Sequence, residues 1–583
     1  MCGIHGIVTI NKQPKQKLQY KVDRMLEKTK YRGPDQTDTL VTDHSALGMN
    51  RLAIVAPNEN ATIQFSQHNK MYALFNGEIV NHQEVRKKLK NPPLNQHSDT
   101  SIILPLFHEY GQKFIQYLAG MFAIAIYNEH DHSLQLWRDP LGIKPLYYYD
   151  TKDTVIFSSE IKAIYAVMDV PPEPAFSALD HELRYRFHPG RDSTFPEIKR
   201  ALPGETVIFQ NGKISRSAYW SLSPNPKYLD KSITLDDFRE VFSKIIDEQA
   251  QSDVKSGFFV SGGLDSSLVT AMALKQKSSY TVPISIRFSP TSVEDEQYGE
   301  LLEKTLHTPF EWVMISDETA RQTLIELSAF LDEPLENPIH IGTYLMAKRA
   351  KEVGVKSVLT GDGSDEFFLG YDRHVCWFEN HKVPPSVEYP TWLWALTPDD
   401  AKRLYRNDAR AMQKPMIDAL GKTIEPFQSV DQMLQYERFD RLSEYHNNRL
   451  DRMTMAHGVE AKVPFLDHRL VEYALKIPHA DLFGTDGKKW LRDAAVPWLP
   501  QEIIHRKKVH FPSLADQWTA GNGADWSSEI LLDSGAHIRK WIRQDVLETY
   551  IQKHKSGTVK KGRQIWALLV LELWLQNLSR WRS

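Results

Sequence analysis

The chain opens with Met1-Cys2-Gly3-Ile4-His5-Gly6-Ile7-Val8, and this stretch sets the expectation for the first domain. If Met1 is removed, a thiol and a free α-amine belong to one residue, Cys2. An α-amine titrates near neutral pH, with an ordinary pKa of roughly 7.7 to 8.0, so it can accept the thiol proton. The stretch therefore predicts a nucleophile that brings its own base. The alternative is a buried, inert cysteine, because free cysteines commonly pack as small apolar side chains.

The composition narrows the class of protein. A chain of 583 residues predicts two or three domains, and 41% hydrophobic with 25% charged residues is an ordinary globular composition. The net charge of -3 provides no broad positive field, so we expect no nucleic-acid partner. Two cysteines cannot form a disulfide framework, and a reducing cytoplasm is the expected location. The late apolar run Ile565–Trp574 is short and contains Glu572, so no membrane span is expected.

Two sequence patterns follow each other along the chain, first a β-rich one and then an alternating α/β one. Short runs rich in β-branched and aromatic residues predict a layered β domain with a few helices over the first two hundred residues: 6–10, 71–75, 121–127, 133–137 and 153–158. From about Leu235, predicted strands at 257–260, 282–288 and 356–360 alternate with predicted helices at 236–249, 264–275 and 342–353, a pattern that gives a parallel sheet. Residues 201–226 predict the junction, and the chain beyond Pro384 is mostly helical by pattern.

A glycine-rich loop follows the first predicted strand of the alternating α/β pattern, residues 257–260. In Ser261-Gly262-Gly263-Leu264-Asp265-Ser266-Ser267 the glycines allow the backbone to approach an anion, and hydroxyls and helix N–H groups can donate to phosphate oxygens. The loop lacks the Gly-Lys-Ser/Thr ending of a Walker A motif and the third glycine of a Rossmann motif. It resembles the pyrophosphate loop of ATP pyrophosphatases. A plain Gly-Gly turn before a helix is the alternative.

A second, acidic loop follows a later strand: Thr360-Gly361-Asp362-Gly363-Ser364-Asp365-Glu366. Loops after parallel strands meet at the carboxyl edge of a sheet, where ligands bind. Asp265 and Asp365 are therefore candidates to hold Mg²⁺ against a pyrophosphate, since Mg²⁺ favours one or two carboxylates plus phosphate oxygens. Solvated acidic turns are the alternative.

The two halves together resemble the glutamine-hydrolysing asparagine synthetase family, from Met1 to about Pro512. In the first half the resemblance rests on Met1–Ile4, Arg32–Asp35, Asn50–Val55, Phe75–Ile79, Ser98–Thr100 and Arg138–Tyr147. In the second half it rests on Ser261–Ser267, Gly361–Glu366, Gly370–Tyr371, Arg449–Arg452, Gly458–Asp467, Lys488–Arg492 and Arg506–Phe511.

The resemblance implies the architecture. The first domain, residues 2–205, should be a class II glutaminase with the four-layer αββα fold of N-terminal-nucleophile (Ntn) hydrolases. A linker over 206–230 should lead to a synthetase domain over 231–583, an α/β ATP-pyrophosphatase fold of the adenine nucleotide alpha hydrolase type with a helical extension.

The resemblance also implies roles for the first half. Cys2 would attack the glutamine carboxamide, while the Asn76 side chain and the Gly77 N–H would form the oxyanion hole. Arg51 would hold the α-carboxylate of glutamine and Asp99 its α-ammonium. Ammonia released to water would be mostly protonated, so a dry passage between the domains is expected.

In the second half, ATP would bind at residues that the two loops contribute: Ser261, Gly262, Gly263, Asp265 and Ser266 from the first, and Thr360 and Gly361 from the second. A carboxylate would attack ATP, pyrophosphate would leave, and ammonia would displace AMP. Lys508 would steady negative charge, and Asp362 would accept a proton from the incoming nitrogen. The segments around Arg449 and Lys488 are expected mainly to build core.

The acceptor stays open. Aspartate is the leading acceptor, but the polar residues of Asp332–His340 do not match an aspartate pocket, so another carboxylate of a specialised pathway is the alternative. Relatives that close a β-lactam ring lack the cysteine, whereas Cys2 is present in this chain. A non-catalytic regulator that binds glutamine or nucleotide is the rival of another class. ATP and Mg²⁺ are the expected cofactors, the partners are small molecules, and a homodimer is the usual assembly.

Overall fold

The computed structural model describes residues 2–67, 69–93, 96–222, 233–276, 280–289, 293–375, 389, 391–413, 415–418, 422, 430–485, 487–506 and 514–582. Its strands are β1 Cys2–Thr9, β2 Gln36–Val41, β3 Ser45–Arg51, β4 Gln64–Ser66, β5 Met71–Ile79, β6 Gly120–Asn128, β7 Ser133–Arg138, β8 Tyr147–Asp150, β9 Thr154–Ser158, β10 Ile198–Arg200, β11 Glu205–Gln210, β12 Lys213–Ala218, β13 Ser256–Phe259, β14 Tyr280–Ser289, β15 Glu311–Ser316, β16 Ser357–Leu359 and β17 Glu460–Lys462.

Helices pack on the sheets of both halves. The α-helices are Lys15–Lys28, His82–Lys88, Ile103–Tyr110, Ile161–Tyr165, Phe176–Tyr185, Leu235–Gln249, Leu264–Lys275, Val293–Leu306, Asp317–Ser328, Ile339–Glu352, Ser364–Phe368, Pro398–Leu404, Asn407–Ala411, Val430–Tyr436, Asn448–Met455, His468–Ala474, His479–Phe483, Lys489–Ala495, Gln501–Ile504, Leu514–Trp518, Asn522–Leu531, Gln544–Lys555 and Gly562–Arg582. Glu437–Asn447 is a π-helix, and 3-10 helices span Lys30–Arg32, Asp99–Ile102, Gly111–Tyr117, Pro464–Leu466 and His537–Lys540.

The first domain has the predicted four-layer αββα Ntn fold. Its two antiparallel sheets have the strand orders β10-β8-β9-β1-β3-β2 and β12-β11-β7-β6-β5-β4. The alternation in β5 shows why they stack: Tyr72 and Leu74 face the core between the sheets, whereas Met71, Ala73 and Phe75 face the outer core under helices. Strand β5 thus buries both faces, one against the other sheet and one against helices.

The boundary of this domain differs from the expectation. The segment expected to begin the linker, from residue 206, forms most of β11 and then β12, and β11 pairs with β7 over Thr206–Phe209. The alternating apolar residues Val207 and Phe209 are buried between the sheets, which draws this hairpin into the domain. The connection between the two halves therefore begins after Ala218.

The second half contains the predicted parallel sheet, in the order β15-β14-β13-β16-β17. Strand β13 is buried throughout and lies between β14 and β16, as is typical of a sheet covered by helices on both faces. The α-helix Val430–Tyr436, the π-helix Glu437–Asn447 and the α-helix Asn448–Met455 follow one another without a break. The last helix, Gly562–Arg582, is buried in one core with the first domain, and Trp581 contacts Tyr165. Within the described ranges no helix is both long and apolar enough to cross a membrane.

The interface between the halves contains a buried network of charges. Arg32 donates to Asp451 at 2.8 and 3.1 Å and to Glu160 at 2.8 Å. Arg452 in turn lies 2.8 Å from Glu160 and 2.8 Å from Asp332. All five side chains are almost fully buried, so each depends on its partners for the stability of its charge.

Removing one charge of this network should destabilise the fold. Asp451→Asn leaves part of the Arg32 guanidinium uncompensated, so we expect a loss of about 3 kcal/mol in unfolding free energy. Urea unfolding followed by tryptophan fluorescence measures it. Lys356→Gln is the matched control, because the Lys356–Asp35 pair also joins the halves but is 37% and 26% exposed and should cost at most about 1 kcal/mol. Equal losses in the two variants would contradict the expectation.

Candidate active sites

The first site is a pocket around Cys2 at the start of β1. It is lined by residues of both halves: Cys2, Arg51, Leu52, Ile54, Val55, Ala61, Phe75, Gly77, Glu78, Asp99, Thr100 and Glu460. Cys2 is 5% exposed, and burial raises the pKa of its thiol. The thiol is therefore neutral at rest, and its reaction as a nucleophile needs a nearby base.

Asn76 stands beside Cys2 because β5 lies behind β1. Its Oδ1 accepts a hydrogen bond from the Cys2 backbone N–H at 3.0 Å. Its Nδ2 is buried and has no hydrogen-bond partner among the described residues. A buried amide donor without an acceptor is costly unless a ligand oxygen supplies one, so this group is suited to an oxyanion.

Gly77 follows at a position that only glycine fits. Its φ is +150°, and a Cβ there would stand 2.0 Å from the Met121 carbonyl oxygen on β6. The absence of a side chain keeps the backbone of β5 close to β6 and leaves the Gly77 backbone on the pocket wall. Asn76 and Gly77 thus lie together beside the thiol.

Arg51 and Asp99 both lie on the pocket wall, and both already make hydrogen bonds to the protein. All four Nη hydrogens of Arg51 are directed to protein oxygens, at 2.8 Å to Gln36 and at 2.5 to 3.1 Å to three backbone carbonyls. A substrate carboxylate must therefore use Nε or displace one of these acceptors. Asp99 accepts from the Ile79 and Thr100 N–H groups, and burial raises its pKa.

The second half contributes to this pocket as well. Glu460 of β17 lines it, and Lys462 of the same strand donates to Glu78 at 2.7 Å. Burial raises the pKa of Glu78 to about 7, although Lys462 opposes the shift. The sequence did not indicate that Glu78 and Glu460 line this pocket or that Lys462 pairs with Glu78, because the contact between Glu78 and Lys462 joins residues 384 positions apart.

The second site forms where the two loops meet at the carboxyl edge of the parallel sheet. The Ser261 and Ser266 hydroxyls are 3.1 Å apart, and Ser364 donates to Asp265 at 2.7 Å. A Cβ on Gly361 would lie 2.6 Å from the Ser266 nitrogen. Close packing of one loop on the other therefore requires glycine at 361. The remaining predicted ligands, Gly262, Gly263 and Thr360, lie in the same two loops.

Lys488 lies between the two acidic residues proposed for metal binding. Its Nζ is 2.5 Å from Asp265 and 2.6 Å from Asp365. Although burial lowers it, the two carboxylates raise the pKa of Lys488 above its ordinary value. The carboxylates thus converge on one cation. In the described part of the chain no three His, Cys, Asp or Glu residues form a metal site.

Arg449 is the second residue that sequence reasoning assigned to the core and that the structure places at the site. It pairs with Asp362 and donates to Thr343 at 2.8 Å. A lone arginine or lysine in a helical pattern gives no signal of this kind, because tertiary packing decides which face reaches the loop. Lys508 lies outside the described residues, and from its motif only Arg506 is described, 4.4 Å from the ring centre of Tyr298.

The fold and the two sites define a glutamine amidotransferase of the Ntn type joined to an ATP-using synthetase domain. A glutamine amidotransferase domain model matches residues 1–220, and an asparagine synthase model matches residues 237–576. Since the second model covers more than half of the chain, the protein belongs to the asparagine synthase family.

Curated relatives match nearly the whole chain. Asparagine synthetase [glutamine-hydrolyzing] 1 of Bacillus subtilis (strain 168) is 28% identical, over 98% of this chain and 96% of its own length. Asparagine synthetase [glutamine-hydrolyzing] 3 of the same organism is 27% identical over 99% and 98%, respectively. Asparagine synthetase [glutamine-hydrolyzing] 2 of Arabidopsis thaliana is 28% identical over 92% of this chain and 82% of its own length.

The free amide of Asn76 generates a kinetic prediction. Asn76→Ala should lower kcat for glutamate release from glutamine by about 10² to 10³, because one oxyanion donor is lost, while KM for glutamine changes little. Initial-rate assays with glutamine measure both constants. Asn69→Ala, outside the pocket, is the control and should behave as wild type. A normal kcat in Asn76→Ala would exclude the oxyanion role.

The contact between the two loops leads to a prediction about ATP binding. Gly361→Ala places a methyl group against the Ser266 nitrogen, so the loops must separate, and we expect the KM for ATP to rise at least about tenfold. Glutamine hydrolysis at the Cys2 pocket should persist. Gly342→Ala is the control, since its Cβ would meet only flexible isoleucine methyls, at 3.3 Å or more. Unchanged ATP dependence in Gly361→Ala would show that the loops need not touch.

Proposed function

We propose that the protein converts aspartate into asparagine with glutamine as the nitrogen donor and ATP as the activating substrate, releasing glutamate, AMP and pyrophosphate. The observation that supports this most is the free Asn76 amide beside Cys2, in a pocket that the synthetase half helps to line. A regulator on a retired scaffold would have no need for a buried, unpartnered donor next to an intact thiol.

In this proposal, the Cys2 sulfur attacks the glutamine carboxamide after the α-amine exposed by removal of Met1 takes its proton. The Asn76 Nδ2 and the Gly77 N–H stabilise the oxyanion, and the pocket anchors glutamine through Arg51 and Asp99. Water then releases glutamate. The raised thiol pKa makes the internal amine necessary, because the buried thiol does not ionise by itself at neutral pH.

In this proposal, ammonia then passes from the Cys2 pocket to the synthetase site inside the protein. Strand β17 has three residues: Glu460 lines the Cys2 pocket, and the Lys462 carbonyl accepts the Thr360 N–H at 3.0 Å. Both sites thus contact one short buried strand. Passage inside the protein, away from water, is the part of the proposal that keeps the nitrogen unprotonated and nucleophilic.

At the synthetase site, Ser261, Ser266 and the helix start after Gly263 bind the phosphates of ATP. Asp265 and Asp365 are the residues that would hold Mg²⁺, which would supply positive charge against the departing pyrophosphate. The fit rests on their present convergence on the Lys488 ammonium. Asp362, which pairs with Arg449, accepts a proton from the nitrogen that attacks the acyl-adenylate.

Replacement of the nucleophile tests the scheme. Cys2→Ala should abolish glutamine-dependent asparagine formation and retain synthesis from ammonium chloride at a similar rate, because the second site is unchanged. Product analysis by chromatography with each nitrogen donor measures this, and mass spectrometry of the purified wild type checks that Met1 is absent. If Cys2→Ala retains glutamine-dependent synthesis, or if protein that keeps Met1 hydrolyses glutamine normally, the proposed nucleophile and base are wrong.

A further inference from the structure

Arg441 is a buried guanidinium whose inner donors find no polar partner in the part of the chain that the structure describes. It lies in the π-helix Glu437–Asn447 and is 4% exposed. Its Nε and Nη1 atoms are buried and form no hydrogen bond, and within the described ranges no carboxylate pairs with it. Unsatisfied buried donors are expensive, and a π-helix frequently marks a functional site.

Two aromatic rings contact this guanidinium. Its Cζ lies 4.1 Å from the ring centre of Tyr445 and 5.7 Å from that of Phe187. Stacking on aromatic faces stabilises the positive charge but does not use the N–H groups, which point along the guanidinium plane. The rings therefore hold Arg441 in place and leave its donors free for an anion.

Complementary groups surround the same tyrosine. Arg186 Cζ lies 5.1 Å from the Tyr445 ring centre, and its Nε is 2.6 Å from Glu336 Oε2. The other carboxylate oxygen of Glu336, Oε1, is buried and has no partner among the described residues, and the same holds for Nε2 of His340. Free guanidinium donors and a free carboxylate oxygen match the two charges of an amino acid.

This cluster adjoins the synthetase site. Burial, and after it Arg441 and Arg449, hold the pKa of His446 well below its ordinary value, and Arg449 itself pairs with Asp362. Burial, Arg449 and Arg186 lower the pKa of His340 to about 3. The pKa of Arg563 is lowered first by Arg186 and then by burial. Several arginines thus collect near Asp362, and Arg441 is the one among Arg186, Arg441 and Arg449 without a carboxylate partner in the described ranges, as suits a site that receives an anion.

We propose that Arg441 binds the second carboxylate of a dicarboxylic amino-acid acceptor, the one that is not activated, with Glu336 Oε1 taking its ammonium. The inference rests on the proposed function and names the residue that selects the acceptor. Arg441 is a specificity residue in this assignment, since the activated carboxylate lies at the Asp362 loop.

Acceptor-dependent exchange between ATP and labelled pyrophosphate tests the assignment. The probes are aspartate and β-alanine, which is aspartate without its α-carboxylate. In wild type we expect kcat/KM to be far higher for aspartate than for β-alanine. Arg441→Gln should lower kcat/KM for aspartate roughly 12- to 150-fold, the range for lost hydrogen bonds to a charged group, and change kcat/KM for β-alanine less than about threefold.

Two further variants separate this role from structure. Arg441→Lys keeps the charge but loses the planar fork, and should show an intermediate KM for aspartate. Arg539→Gln, an exposed arginine, is the control and should match wild type. If Arg441→Gln lowers exchange equally with both acceptors, or leaves aspartate within threefold, the assignment is overturned; should Arg441→Gln not fold, Arg441→Lys decides by the same criteria. If wild type shows no exchange with aspartate, the proposed function fails and this inference with it.

Discussion

The buried ion pairs of Arg32 with Asp451 and Glu160 are the constraint on which the rest of the molecule depends. Arg32 also donates from Nε to the Cys2 carbonyl at 3.2 Å, so the residue that locks the interface also fixes the nucleophile. Although burial opposes it, Asp451 and Glu160 raise the pKa of Arg32 above its ordinary value. Because Arg32 is paired with a carboxylate from each half, the position of Cys2 depends on how the two halves are packed together.

The helix Asn448–Met455 extends this constraint to the second site. Asp451 and Arg452 face the first domain, whereas Arg449 reaches Asp362 in the acidic loop. Two residues along one helix therefore separate an interface contact from a contact with the synthetase chemistry. The acidic loop, this helix, Arg32 and the Cys2 backbone are thus joined by one continuous series of contacts. Strand β17 provides a second connection, from Glu460 to Thr360 through Lys462.

The group of arginines near Asp362 is likewise formed by residues from both halves of the chain. Its arginines come from both halves of the chain, Arg186 from the segment after Phe176–Tyr185 and Arg441 and Arg449 from the helices around residue 445. Arg186 pairs with Glu336 and Arg449 with Asp362, whereas Arg441 has no carboxylate partner within the described ranges. Arg186 and Arg441 lie against the same Tyr445 ring only because the two halves are docked.

The amino-acid sequence by itself determined the β-rich pattern of the first part, the alternating α/β pattern of the second, and the strand and helix on either side of the phosphate loop. It also carried the resemblance from which the αββα domain was predicted. These follow from local periodicity and from glycine-rich motifs whose geometry is set by neighbours in the chain. The tertiary structure decided that residues 206–218 complete a sheet, that Lys488 bridges Asp265 and Asp365, that Arg449 pairs with Asp362 and that Glu460 lines the Cys2 pocket. Those contacts join residues far apart in the chain, and a charged residue in a helix has the same local pattern whether it faces solvent, a partner domain or a substrate.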